Sequence, residues 1–273
     1  MVIVRGGGDL ATGTIFMLHQ CGYDVLVLET GQPTAIRRKV SFSEAVYDGS
    51  TVVESVVCRR VETETQIAQA WNEGEIPLLI DPAGEWIRKM HPQAVIDAIL
   101  AKKNLGTSKE MAPLTIALGP GFEAGQDVDY VIETKRGHRL GRVIAHGTAI
   151  PNTGVPGMIG GYGAERVIHA PATGEIHTLA QIGELVKKGQ RLAEIGETGV
   201  YAAFDGVLRG MIRDGFAVTT GLKIADIDPR AQEQENCTTI SDKARCIAGG
   251  VLQALLCSKV FPSQQAEGTW VKN

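Results

Sequence analysis

A short β-branched run, Val2 to Val4, leads straight into Gly6-Gly7-Gly8-Asp9-Leu10-Ala11 and then into a segment of helical character. That junction constrains the fold more than any other feature of the chain. Glycines at a strand-to-helix turn let the backbone bend sharply and approach a diphosphate, whose charge the following helix N-terminus meets with its amides and dipole. Gly6, Gly8 and Ala11 fit the G-x-G-x-x-G/A pattern, and a second apolar strand, Val25 to Leu28, ends in Glu29. A carboxylate about 20 residues beyond such a loop can accept hydrogen bonds from a ribose diol. Strand, glycines, helix, strand and acid in register point to a dinucleotide site built from Gly6, Gly7, Gly8, Asp9, Leu10, Ala11 and Glu29. The competing account is a glycine turn that serves only close strand–helix packing.

The first half continues as alternating strands and helices. Helices are expected at Thr12 to Gln20, Val61 to Asn72 and Pro92 to Lys103, and strands at Ile76 to Ile80, Leu114 to Leu118 and Val128 to Glu133. Apolar strands spaced by helical segments favour a parallel, doubly wound sheet, with ligands at the carboxyl ends of its strands. Gly119 and Gly121, after the Leu114 strand, join the candidate site on that ground. So do Arg37 and Arg38, whose guanidinium forks match phosphate oxygens. A solvated basic turn pairing with Glu44 explains the same two arginines equally well.

Composition excludes several classes. A net charge of −4 and a pI near 5.9 argue against nucleic-acid binding by phosphate neutralisation. No apolar run reaches membrane-spanning length, and Arg5 and Asp9 interrupt the start where a signal peptide would be apolar. The five cysteines lack CxxC spacing, which suggests reduced thiols and a cytoplasmic protein. His146, His169 and His177 have no metal-ligand spacing, so no metal site is expected.

From His146 to Gly163 glycines and prolines dominate, as in a crossing between domains. An internal repeat follows. Ala170 to Ile176 realigns on Ala202 to Leu208 at an offset of 32, and the same offset maps Gly183 to Gly215, Gly189 to Gly221 and Leu192 to Ile224. One copy cannot bury its own apolar face, so two copies must complete one another. The pattern resembles the biotinyl/lipoyl carriers, although Gly196-Glu-Thr-Gly199 lacks their lysine. A last helix is expected after the N-cap Ser241, with Gly249 and Gly250 implying a close neighbour. Cys237 lies just before it, where a helix start favours a thiolate, although a buried structural thiol is the more common case. The expected fold class is α/β, a Rossmann-like parallel sheet domain followed by a small all-β barrel-sandwich hybrid module and a C-terminal helix. Its expected parts are a nucleotide-binding domain at 1–145, a crossing loop at 146–164, the β module at 165–230 and a C-terminal helix and tail at 231–273.

Arg5-Gly-Gly-Gly-Asp-Leu-Ala-Thr-Gly13, Pro33-Thr-Ala-Ile-Arg-Arg38, Phe42-Ser-Glu-Ala45, Pro151-Asn-Thr-Gly154, Gly160-Gly-Tyr-Gly163 and Thr239-Ile-Ser-Asp-Lys243 together resemble the YqeB family of selenium-dependent molybdenum hydroxylase system proteins, itself similar to the XdhC/CoxI maturation factors. The resemblance implies an accessory protein for molybdenum hydroxylase maturation. It would bind a nucleotide or the molybdopterin dinucleotide, with a hydroxylase client and other maturation proteins as partners. It supplies no catalytic residue and leaves open both catalysis and a homo-oligomer. No XdhC-type cysteine motif stands near the N-terminus, which speaks against direct sulfuration. The alternative is an NAD(P)-dependent oxidoreductase, for which Tyr-x-x-x-Lys and His–Asp pairings are not evident.

Overall fold

The computed structural model describes residues 1–154 and 158–263. Val155, Pro156 and Gly157 of the expected crossing loop, and the end of the expected tail, lie outside the described residues. The chain divides into two compact units. The first comprises Met1–Pro33, Ser41–Asn152 and the described part of Ile240–Asn273, and the second Thr34–Val40 with the described part of Thr153–Thr239. The change of unit thus falls at Thr153, inside the expected crossing, and a short segment near residue 37 also belongs to the second unit.

The first unit opens with strand β1 (Val2–Arg5), helix α1 (Asp9–Gln20) and strand β2 (Val25–Glu29). A short helix α2 (Ala45–Asp48), strands β3 (Ser50–Val53) and β4 (Val56–Arg60), helix α3 (Glu64–Asn72) and strand β5 (Ile76–Ile80) follow. Then come α4 (Glu85–Met90), β6 (Ala94–Asp97), β7 (Thr115–Leu118), β8 (Glu123–Ala124), β9 (Tyr130–Ile132), β10 (Val143–Ile144) and β11 (Gly147–Thr148). Helix α5 (Asp242–Cys257) completes the unit. Nine of the strands form one sheet in the order β10-β9-β7-β6-β1-β2-β5-β4-β3.

The sheet corrects the expected fold class. Its seven central strands from β4 to β9 run parallel, but β3 and β10 are antiparallel to their neighbours, so the sheet is mixed and both edges are hairpins. The reason at one edge is the connection: only Glu54 and Ser55 separate Val53 from Val56, and a two-residue turn can join antiparallel strands alone. Glu54 carries the turn with φ of 51°. The helix expected over Pro92 to Lys103 is also corrected. Its core is strand β6, buried at all four positions between β1 and β7. Val95 and Ile96 suit a central strand, and the left-handed Leu100 and Lys102 break any helical continuation.

Local signals set the helix ends. Thr63 and Gln66 form a capping box on α3, and the Ser241 hydroxyl caps α5 by accepting from the Ala244 amide at 3.2 Å. Helices α1 and α5 pack closely because Gly13 has no side chain: a Cβ there would lie 2.6 Å from that of Ala244. Gly250 likewise lets α5 press onto the Gly141 carbonyl of the β9–β10 hairpin, while Gly249 has no such neighbour.

The second unit contains β12 (Val167–His169), β13 (Gly174–Thr178), β14 (Leu185–Val186), β15 (Arg191–Ile195), β16 (Thr198–Tyr201), β17 (Gly206–Met211), β18 (Ala217–Val218) and β19 (Lys223–Asp228). They form two four-stranded antiparallel sheets, β12-β19-β17-β14 and β16-β15-β13-β18, in place of the expected barrel-sandwich hybrid. The repeat is visible strand by strand, β13, β14 and β15 of the first copy answering β17, β18 and β19 of the second. Each copy lends its short middle strand to the other's sheet. The bonds that hold this exchange come in matched pairs: Gly183 N–H to Leu208 O and Gly215 N–H to Ile176 O, both 2.8 Å. Ile176, Leu192, Leu208 and Ile224 occupy equivalent positions and are fully buried. The core therefore exists only when both copies are present.

Candidate functional site

The carboxyl ends of the parallel strands carry a row of acids, and each one laces a loop to the sheet. Glu29, at the end of β2, accepts the Gly7 amide on Oε2 and the Thr30 amide on Oε1, both at 2.7 Å. Asp81, just past β5, takes the amides of Gly84, Glu85 and Trp86 at 2.8–3.1 Å and so starts α4. Asp97, ending β6, accepts from Ile99 N–H at 3.1 Å and from the Thr107 hydroxyl at 2.5 Å. Glu133, just past β9, takes the amides of Lys135 at 2.7 Å and Ile150 at 2.8 Å. Arg5, buried at the end of β1, donates to Thr107 Oγ1 at 2.5 Å and to the Pro82 carbonyl at 3.1 Å.

Burial pushes the Asp97 carboxyl up, and the Thr107 and Ile99 bonds and Arg5 offset only part of that. A carboxyl with a raised folded pKa binds protons more readily folded than unfolded. Stability from this group is therefore gained as pH falls through the folded pKa, and is lost as pH rises from the ordinary carboxylate value. Urea unfolding of wild type and Asp97→Asn between pH 4 and 7 should show a difference that moves against the variant on acidification. A constant offset across that range would refute the account.

The glycine loop is knotted into the chain that follows it. Gly7 donates to Glu29, while its carbonyl accepts from Ser43 N–H at 2.8 Å and from the Thr12 hydroxyl at 3.1 Å. Thr12 Oγ1 in turn accepts from Phe42 N–H at 2.9 Å. Gly8 differs from its neighbours. It precedes α1 with no side-chain cap, and nothing lies within 4 Å of where its Cβ would be. The first-turn amides of Asp9, Leu10 and Ala11 fall within the α1 N-terminus, whose dipole favours an anion.

Lys243 enters the sequence reading only as the end of a family motif, with no site role, and it belongs here. It lies in the first turn of α5, beside Ala244, which touches Gly13 of α1. Burial pushes its ammonium below the ordinary lysine value. Asp9 opposes this most, Arg136 adds to it, and Glu133 and Asp242 oppose it. Arg136 also grips Asp242 with two bonds of 2.6 and 2.9 Å. The α1 start, Lys243 and this ring of charges form the candidate site.

The remaining expected site residues have contacts of their own. Gly119 and Gly121 have positive φ, and side chains there would collide with Thr134 Oγ1 and with the Lys103 amide at 2.5 and 2.6 Å. Arg37 and Arg38 belong to the second unit, where Arg38 Nε donates to Met211 O at 2.9 Å and Arg37 to Asn236 O at 3.3 Å. Cys237 is buried, and burial pushes its thiol up, which fits the buried structural thiol and not the thiolate. A surface cleft of about 230 Å³ lies at Arg59, Arg60 and Gln69, but Glu75 holds Arg59 and Glu62 holds Arg60. Among the described residues no helix is long and apolar enough to cross a membrane.

Fold and site together define a class: a mixed-sheet α/β unit with a glycine-loop helix start, joined to a repeated, strand-exchanged β unit. No family model matches the chain. It is 49% identical over 256 residues to "Uncharacterized protein YqeB" of Escherichia coli (strain K12), an alignment that covers 94% of this chain and 47% of that protein. The chain belongs to the YqeB family and spans about half the length of that relative.

Solved structures similar to it include an aspartoacylase family protein of Mesorhizobium loti, at 12% identity over 84% of this chain and 85% of that one with a TM-score of 0.29. Another is the succinylglutamate desuccinylase/aspartoacylase of Rhodobacter sphaeroides, at 12% identity over 84% and 85% with a TM-score of 0.24. The apo ectoine utilization protein EutE of Ruegeria pomeroyi matches at 11% identity over 83% and 85%, with a TM-score of 0.24. The expectations of a molybdenum hydroxylase maturation factor and of an NAD(P)-dependent oxidoreductase, with their molybdenum, selenium and NAD associations, do not stand, since neither the relative's description nor these neighbours carries them. At such TM-scores the neighbours lend this chain no activity of their own.

Proposed function

We propose that the first unit is a receptor for a small phosphate-bearing anion at the carboxyl edge of its nine-stranded sheet. The α1 start at Gly8 supplies backbone donors and Lys243 supplies the charge. One observation carries the reading: an uncapped helix start with open space over Gly8 stands next to the α5 turn that holds Lys243. A helix N-terminus without a side-chain acceptor leaves amides to be satisfied by water or by a ligand. Glu29, Thr12 and Ser43 fix the loop's shape, so little ordering is required when the anion arrives.

Thermal unfolding with inorganic phosphate, pyrophosphate and a dinucleotide tests the reading and sorts occupants by size. A ligand at 100 times its Kd adds about 2.7 kcal/mol of stability. Lys243→Gln should weaken that response roughly ten- to hundredfold in apparent affinity, since a hydrogen bond to a charged group is worth about 1.5–3 kcal/mol. Equal responses in wild type and variant would remove Lys243 from the site, and no response to any of the three would overturn the proposal.

A further inference from the structure

The second unit holds a buried charge cluster that its own architecture does not require. Arg209 stands in β17 where the register against β19 slips, between Leu208 and Gly210. Its side chain is 15% exposed. Its Nη1 reaches Asp228 Oδ2 only at 3.5 Å, and its Nε is buried without a hydrogen-bond partner. A guanidinium offers five donors in a rigid fork, and a buried donor left unmatched is costly.

Asp228 is already taken. Arg230 grips it with Nε at 3.0 Å and Nη2 at 2.8 Å, and the Arg230 amide adds a third bond at 3.0 Å. Asp226, two residues earlier on β19, faces Arg166 at 3.6 Å. Arg37, also buried, acts on Asp226 together with Arg209, Arg166 and Lys223. Both carboxylates of β19 are thus engaged by other arginines, which leaves Arg209 only the long contact to Asp228, and buried charge is stable only when it is matched.

The repeat supplies an internal control. Thirty-two residues earlier, the positions of Arg209, Asp226 and Asp228 are filled by His177, Glu194 and Gly196. His177 is exposed, and that copy forms its strands without a buried cluster. The strands do not need these charges.

We propose that Arg209 is the centre of an oxyanion site in the second unit, taking the carboxylate or phosphate group of a small molecule on its Nε edge. Two parallel N–H···O bonds to one oxyanion suit that edge. The site is separate from the one at Lys243.

The test is thermal unfolding of the full chain carrying Lys243→Gln, with phosphate and acetate as separate probes at constant ionic strength. Phosphate alone raising the midpoint identifies a phosphate group, and acetate alone a carboxylate. Adding Arg209→Gln should weaken the effective probe roughly ten- to hundredfold. Arg209→Lys, which keeps the charge and loses the fork, should fall in the same direction and serves if the glutamine variant does not fold. A response that survives both substitutions, or no response to either probe, overturns the proposal.

Discussion

Phe42→Ala is expected to lower the stability of the first unit by about 3–5 kcal/mol, the range for emptying a buried aromatic site. Phe42 is fully buried, and it leads the short turn that covers the glycine loop. Its amide is bound to Thr12 Oγ1, and its neighbour Ser43 is bound to the Gly7 carbonyl, so the surrounding backbone is pinned on both sides. A pinned backbone cannot collapse into the cavity, which places the cost toward the upper end of the range. Urea unfolding followed by far-ultraviolet circular dichroism measures it. A loss under about 1 kcal/mol would mean that the turn is free to move and that the knot described above is not rigid.

Gly6→Ala should cost about 3 kcal/mol or more, from two independent sources. Gly6 has φ of +97°, a region that costs an L-residue roughly 1–2 kcal/mol. Its Cβ would also lie 2.9 Å from the Ala98 carbonyl oxygen and 3.0 Å from Ile99 Cα, and neither atom can rotate away. Overpacking of that kind adds typically 1–3 kcal/mol. Gly8→Ala is the built-in comparison: with φ of −66° and open space around it, it should stay within about 0.5 kcal/mol of wild type. Similar losses at both positions would show that the loop does not have this shape.

How much of this could be read from residues alone depended on how local the cause was. The strands at Val2, Val25, Ile76 and Leu114 follow from apolar runs, and α5 from Ser241 and its periodic Ile247, Val251 and Leu255. The repeat was legible because its offset is constant. The Pro92–Lys103 segment was misread because Ile96, Ile99 and Leu100 also satisfy a helical period, and a short apolar run does not distinguish the two. The β3–β4 hairpin was missed because Glu54 and Ser55 are not the glycine or asparagine that usually mark such a turn. The glycine loop itself was placed by pattern. The bond between Glu29 and Gly7 was not, since only the folded sheet brings that carboxylate onto that amide. Lys243 escaped for the same reason, because the charges that act on it come from α1 and from the β9–β10 turn. Motif likeness led to the family and overreached on activity, since family motifs record a shared ancestry and a fold before they record chemistry.

The exchange of β14 and β18 makes the second unit, in effect, a dimer whose partners share one polypeptide. A peptide holding a single copy would need another molecule of itself to fill each sheet. Severing the link between them should leave two fragments that fold only after they find each other.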